Sequence, residues 1–128
     1  MKLLLDTHLL LWAASAPDKL SNTAKTLIAA PENELFFSAV SLWEIVIKNG
    51  LGRADFHVDA RLLRRGLLTH GYHELSITSE HAVAVASLPM HHKDPFDRML
   101  IAQTHVEGLT LLTADNTIAQ YQGNIQLV

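Results

Sequence analysis

Five short apolar runs, each separated from the next by a stretch with helical spacing, restrict this chain to few folds. KLLLDT (2–7), ELFFSA (34–39), HELSI (73–77), LTLLTAD (109–115) and a closing IQLV have the length and residue types of strands. Between them lie helical patterns. The residues after the first run form a short helix. SNTAKTLIAA (21–30) is a helix with Ser21 or Asn22 as cap. SLWEIVIKN (41–49) begins with Ser41 as cap and Glu44 at the third helical position, a capping-box pattern, and ends at Gly50. ARLLRRGLLTHG (60–71) is helical, and Thr78 or Ser79 caps EHAVAVASL. DRMLIAQTHVEG (97–108) is a helix closed by Gly108, and TIAQY a short one. GLGRADFHVD and PMHHKDPFD read as loops. Strands that alternate with helices predict an α/β fold, and runs apolar throughout predict a mostly parallel sheet with helices on both faces. With no repeat and no linker, one domain over residues 1–128 is expected.

Composition narrows the function. No apolar run approaches the roughly 18 residues that span a bilayer, and the N-terminus lacks a signal-peptide pattern. With no Cys there is neither a disulfide framework nor a thiolate metal site. A cytoplasmic protein without membrane contact is the expectation. The formal net charge of −3 is not the footprint of a protein that holds nucleic acid by bulk electrostatics. A polyanionic partner would need a local remedy, and divalent cations supply one.

The carboxylates fall where that remedy would act. In open α/β sheets, ligands bind at the carboxyl ends of the strands. Asp6 ends the first strand inside a leucine run, and Asp115 ends the fourth. Glu44 lies in the first turn of the helix leaving the second strand, and Asp97 opens the helix after the HHKDPF loop. Singly, Glu44 and Asp97 would do no more than complement a helix dipole, and Asp115 would make a turn. Together, four converging carboxylates repel one another unless a cation or protons intervene. A shared Mg²⁺ or Mn²⁺ site accounts for all four, and such ions take oxygen ligands and assist displacement at phosphorus. Metal-dependent phosphodiester hydrolysis is therefore predicted.

The segments DTHLLLW, SLWEI, DPFDRMLIAQ and LTLLTADN, in this order and over nearly the whole length, resemble the PIN-domain ribonucleases, in particular toxins of the VapC type. The resemblance implies a central parallel sheet flanked by helices and Mg²⁺- or Mn²⁺-dependent endoribonuclease activity. It also implies a homodimer and inhibition by a cognate antitoxin. Carried over position by position, the metal-binding and catalytic acids are Asp6, Glu44, Asp97 and Asp115. Asp94 competes with Asp97 and is read as a supporting neighbour or a loop turn. Thr7 and Asn116 stand beside two of the acids and either hydrogen-bond into the site or serve local turns.

Other features are set beside this reading. Lys48, Arg53, Lys93 and Arg98 flank the acids and are placed to meet an RNA backbone. Arg61, Arg64 and Arg65 form a basic helix face that suits phosphates or antitoxin carboxylates, or is simply solvated. The eight histidines are scattered without HExxH. His91 and His92 precede the DPFD turn, where they could touch RNA or the leaving group, although a solvated loop is the plainer reading. Trp12, Trp43 and Phe96 read as core or dimer packing, as does the small-residue run AVAVAS. An aspartyl-phosphate phosphatase would want an acid where His8 stands, and a receiver domain a lysine after Lys93. A DNA-directed nuclease with the same acids, and a PIN-like module that binds RNA or protein without cutting, stay open.

Overall fold

In the computed structural model, which describes residues 1–52 and 57–128, the apolar runs pair into one five-stranded sheet of order β3-β2-β1-β4-β5. The strands are β1 (Lys2–Leu5), β2 (Glu34–Ser38), β3 (His73–Leu75), β4 (Thr110–Thr113) and β5 (Ile125–Leu127). Every described pairing is parallel. The helices are α1 (Thr7–Ser15), α2 (Asn22–Ala29), α3 (Ala39–Gly50), α4 (Ala60–Thr69), α5 (Ser79–Ala84) and α6 (Pro95–Glu107).

The period of two explains why the strands lack a polar face. Leu4 and Leu111 point to one side, where they pack with Val40 of α3 and Leu100 and Ile101 of α6. Leu3, Leu5 and Leu112 point to the other, against Leu9 and Leu10 of α1, Ala24 of α2 and Leu67 of α4. Both faces are thus covered by helices, as the uninterrupted leucine runs require. None of the described helices is long and apolar enough to cross a membrane.

Several boundaries differ from the sequence-based expectation, each for a local reason. β1 stops at Leu5 because Asp6 turns the chain into α1, its carboxylate accepting from the Leu9 N–H. α3 starts at Ala39 and is capped by Ser38, not by Ser41. Glu44 therefore lies in the second turn and forms no capping box; Ser41 is buried and accepts from the Thr7 hydroxyl at 2.9 Å. α6 starts two residues early, with Pro95 at its first position and Asp94 as cap. Strands β3 and β4 are shorter than the apolar runs that contain them, and the TIAQY segment forms a single 3₁₀ turn, Ile118–Gln120.

Candidate active site

The sheet reverses direction of growth between β1 and β4, so the carboxyl ends of these two strands open a crevice. Asp6 follows β1 directly, and Thr113 ends β4. Their strands run in register with Leu5 opposite Leu112. The Asp6 N–H extends that ladder by donating to the Leu112 carbonyl. This brings the Thr113 hydroxyl to the Asp6 carboxylate, where it donates to Oδ2 at 2.5 Å. Thr113 Oγ1 also accepts from the Asp115 N–H at 3.0 Å. One hydroxyl thus ties together the turns that carry two of the acids.

Asp97 enters from the first turn of α6, and its Oδ2 lies 2.7 Å from His92 Nε2. The same nitrogen is 4.0 Å from Asp115 Oδ2. Each of His92, Asp97 and Asp115 offers one ligand atom, and those atoms lie within 4.8 Å of one another. Glu44 projects from α3 with its side chain only 3 % exposed. Its Oε2 accepts from Lys48 Nζ at 2.6 Å, while Oε1 is buried without a hydrogen-bond partner among the described residues.

The electrostatics match that crowding. Burial pushes the Asp6 carboxyl above its ordinary range, with the Thr113 and Leu9 hydrogen bonds pulling it back. Asp97 is pushed up to about 6, chiefly by burial and then by the charge of Asp94. The His92 hydrogen bond opposes this, and the Glu44 charge adds to it. A buried carboxylate oxygen without a donor costs about 1–3 kcal/mol. A divalent ion would relieve the orphaned Glu44 oxygen and the mutual repulsion together. The donor set, hard carboxylate oxygens with one imidazole, fits such an ion.

The remaining residues singled out by sequence fall into two groups. Asp94 is held as the α6 cap, its Oδ1 accepting from the Phe96 and Asp97 N–H groups. Thr7 is buried and donates to Ser41, which braces α1 against α3 beside the acids. Lys48 is paired to Glu44, Lys93 and Asn116 are exposed, and Arg53 lies outside the described residues. Arg98, expected to meet an RNA backbone, is turned inward. It is 9 % exposed, and its guanidinium donates to the carbonyls of Pro89 (3.0 Å) and Val85 (3.2 Å) and to the Tyr121 hydroxyl (3.2 Å). Longer contacts reach the Leu88 and His92 carbonyls. Both terminal nitrogens of the guanidinium are thus turned inward, onto the loop before α6 and Tyr121. Trp43 is 57 % exposed and stacks edge-on against Phe96, turned away from buried Glu44. Of the patch on α4, Arg64 is taken up by a two-pronged pair with Glu74.

Two site residues were not singled out as such. Thr113 carried a readable signal, a hydroxyl two positions before Asp115 at a strand end. The sequence reading sets His92 between an RNA or leaving-group contact and a solvated loop, because no spacing reveals that the loop folds back onto Asp97.

The overall architecture is shared with solved structures. The chain superposes on VapBC2 from Rickettsia felis, solved bound to a DNA fragment from its promoter, with a TM-score of 0.68 at 15 % identity, covering 100 % of this chain and 98 % of that one. A toxin–antitoxin complex from Klebsiella pneumoniae matches with a TM-score of 0.60 at 19 % identity, over 96 % and 94 % of the two chains. VapBC-1 from nontypeable Haemophilus influenzae matches with a TM-score of 0.60 at 17 % identity, over 99 % and 98 %. At such identities the likeness is one of fold. No curated protein sequence matches this chain. The family model of the PIN domain, however, matches residues 3–124, and the chain belongs to the PIN-domain family.

Proposed function

We propose that this protein is a Mg²⁺- or Mn²⁺-dependent endoribonuclease and the toxin of a toxin–antitoxin pair, built as one catalytic domain. The observation that carries the metal reading is the cluster of His92, Asp97 and Asp115, whose ligand atoms lie within 4.8 Å of one another, beside Glu44, whose charge acts on Asp97 and whose buried Oε1 has no hydrogen-bond partner among the described residues. Asp6, Glu44, Asp97 and Asp115 would hold one or two ions. Such an ion, when bound, activates water and neutralises charge at the phosphorus. The chain's own groups do the rest. Thr113 fixes the Asp6 carboxylate, and Asp94 fixes the first turn of α6 and so the direction of Asp97. Lys48 and exposed Lys93 stand at the margin, where an RNA backbone would meet positive charge.

The assignment as a toxin rests on family membership and on fold neighbours that are toxin–antitoxin complexes. A cognate antitoxin is therefore the proposed protein partner, and the cytoplasm, where RNA is accessible, the proposed place of action. A homodimer belongs to the same proposal, with exposed Trp43, Ile77 and Met90, which share one groove with Phe96, as the surface a second copy would cover. Light scattering of the purified chain reads that point directly.

The functional experiment is cleavage of small structured RNAs with Mg²⁺, with Mn²⁺ and with EDTA, alongside Asp97→Asn. Cleavage that requires the ion and disappears in the variant is expected. Cleavage that survives EDTA, or full activity in Asp97→Asn, would sink the assignment, and cutting of matched DNA but not RNA would redirect it to a DNA nuclease.

A further inference from the structure

We propose that His92 is a direct ligand of the metal, and that its imidazole makes the site select a first-row transition ion, with Mn²⁺ as the probe, over Mg²⁺. The inference rests on the metal-nuclease reading above and adds to it a nitrogen donor and a selectivity.

The geometry comes first. Bonds of about 2.0–2.2 Å to one ion put donor atoms roughly 3 Å apart at right angles and roughly 4.3 Å apart when opposite. His92 Nε2 is 2.7 Å from Asp97 Oδ2 and 4.0 Å from Asp115 Oδ2. Small side-chain adjustments place all three atoms around one ion. The buried Oε1 of Glu44, without a hydrogen-bond partner among the described residues, is a second polar group that a cation beside Asp97 would satisfy.

The backbone that carries His92 is also fixed in place. Its backbone N–H donates to the Tyr121 hydroxyl at 2.9 Å. That hydroxyl accepts in turn from Arg98, which also grips the Val85 and Pro89 carbonyls. The His91 ring packs edge-on against Tyr121 at 5.0 Å. A solvated loop has no need of a buried arginine and a buried tyrosine beneath it. Such support fixes the position from which the imidazole reaches toward Asp97 and Asp115.

Charge and softness then point to the ion. Glu44 and Asp94 already press on Asp97, so a further carboxylate would add repulsion, whereas a neutral imidazole adds a donor without charge. Imidazole suits transition ions, while Mg²⁺ prefers oxygen and gives up its waters reluctantly.

The test uses the purified full chain. Pulsed electron paramagnetic resonance of the Mn²⁺-loaded protein should show nitrogen hyperfine coupling, and that coupling should vanish in His92→Ala. The first reading is made on the unmutated chain and does not depend on how a variant folds. Calorimetry should give Mn²⁺ affinity at least tenfold above Mg²⁺. In His92→Ala, Mn²⁺ affinity should fall at least tenfold and Mg²⁺ affinity less than threefold. The proposal is overturned if Mn²⁺ binds without nitrogen coupling, if the coupling persists in His92→Ala, or if both affinities fall by the same factor. The metal-nuclease reading survives those outcomes. Failure of the unmutated chain to bind either ion would remove both.

Discussion

Replacing Asp97 by Asn should make the metal-free protein more stable at neutral pH while removing its response to metal. The Asp97 carboxyl is raised from 3.8 to about 6, first by burial and then by the neighbouring Asp94 charge. The unfolded chain releases this proton near 3.8 and the folded chain near 6. Between those values the native state holds more protons than the unfolded one, so stability falls as pH rises through this window and then levels off. The gap corresponds to about 3 kcal/mol. The side chain is 17 % exposed, so solvent screening reduces the usable effect to about 1–2 kcal/mol. Asn keeps the shape and removes the charge. For a chain of this length the gain is about 4–8 °C in Tm.

Thermal melts followed by circular dichroism in EDTA, from pH 4.5 to 8, read the effect. The native protein should lose Tm relative to Asp97→Asn across pH 4.5–6.5, with a constant gap above pH 7. Added Mn²⁺ should then reverse the order. An ion at 100 times its Kd contributes about 2.7 kcal/mol to the state that binds it, and the variant has lost a ligand. A variant that is less stable than the native protein at pH 7.5 in EDTA would refute the reasoning. So would a gap that is the same at pH 4.5 as at pH 7.5, since the cause would then not be a carboxyl titrating near 6.

Arg98→Leu should destabilise by about 2 kcal/mol or more in urea unfolding, because it strips donors from the part-buried Val85 and Pro89 carbonyls and from the buried Tyr121 hydroxyl; a cost under about 1 kcal/mol would contradict the clamp. Thr113→Val removes the donor to Asp6 and the acceptor of the Asp115 N–H, and should cost about 2–3 kcal/mol in the same assay, with a neutral result refuting the tie between β1 and β4. Gly108→Ala should cost about 1 kcal/mol without touching metal binding, because Gly108 closes α6 at φ 68°, a conformation a Cβ disfavours.

The fold was legible because its signals are local and redundant. β1 and β4 are apolar at consecutive positions, which demands cover on both faces, and the helices between strands demand parallel pairing. Boundaries were less legible where one polar residue can serve two roles. Ser38 and Ser41 are both competent caps, and only packing decides that Ser41 turns inward to meet Thr7. The prediction of Asp6, Glu44, Asp97 and Asp115 as a set drew on strand ends, which the chain order reveals. His92 could not be found this way, since its place depends on a loop pinned by Tyr121, far off in sequence. The direction of Arg98 was hidden for the same reason: beside acids in the chain, it is turned toward carbonyls in space.

Burial of charge alone does not separate function from structure in this protein; satisfaction does. Arg98 and Glu44 are both ionisable, both buried and both on helices at the crevice. Arg98 finds acceptors for its guanidinium and stabilises the loop it grips. Glu44 leaves one oxygen with no partner among the described residues and adds its charge to an already crowded Asp97. A core selected only for stability would replace Glu44 with an apolar residue, since a half-satisfied buried carboxylate is worse than none. On the proposed metal reading, a bound cation would satisfy that oxygen and offset the charge that Glu44 and Asp97 share.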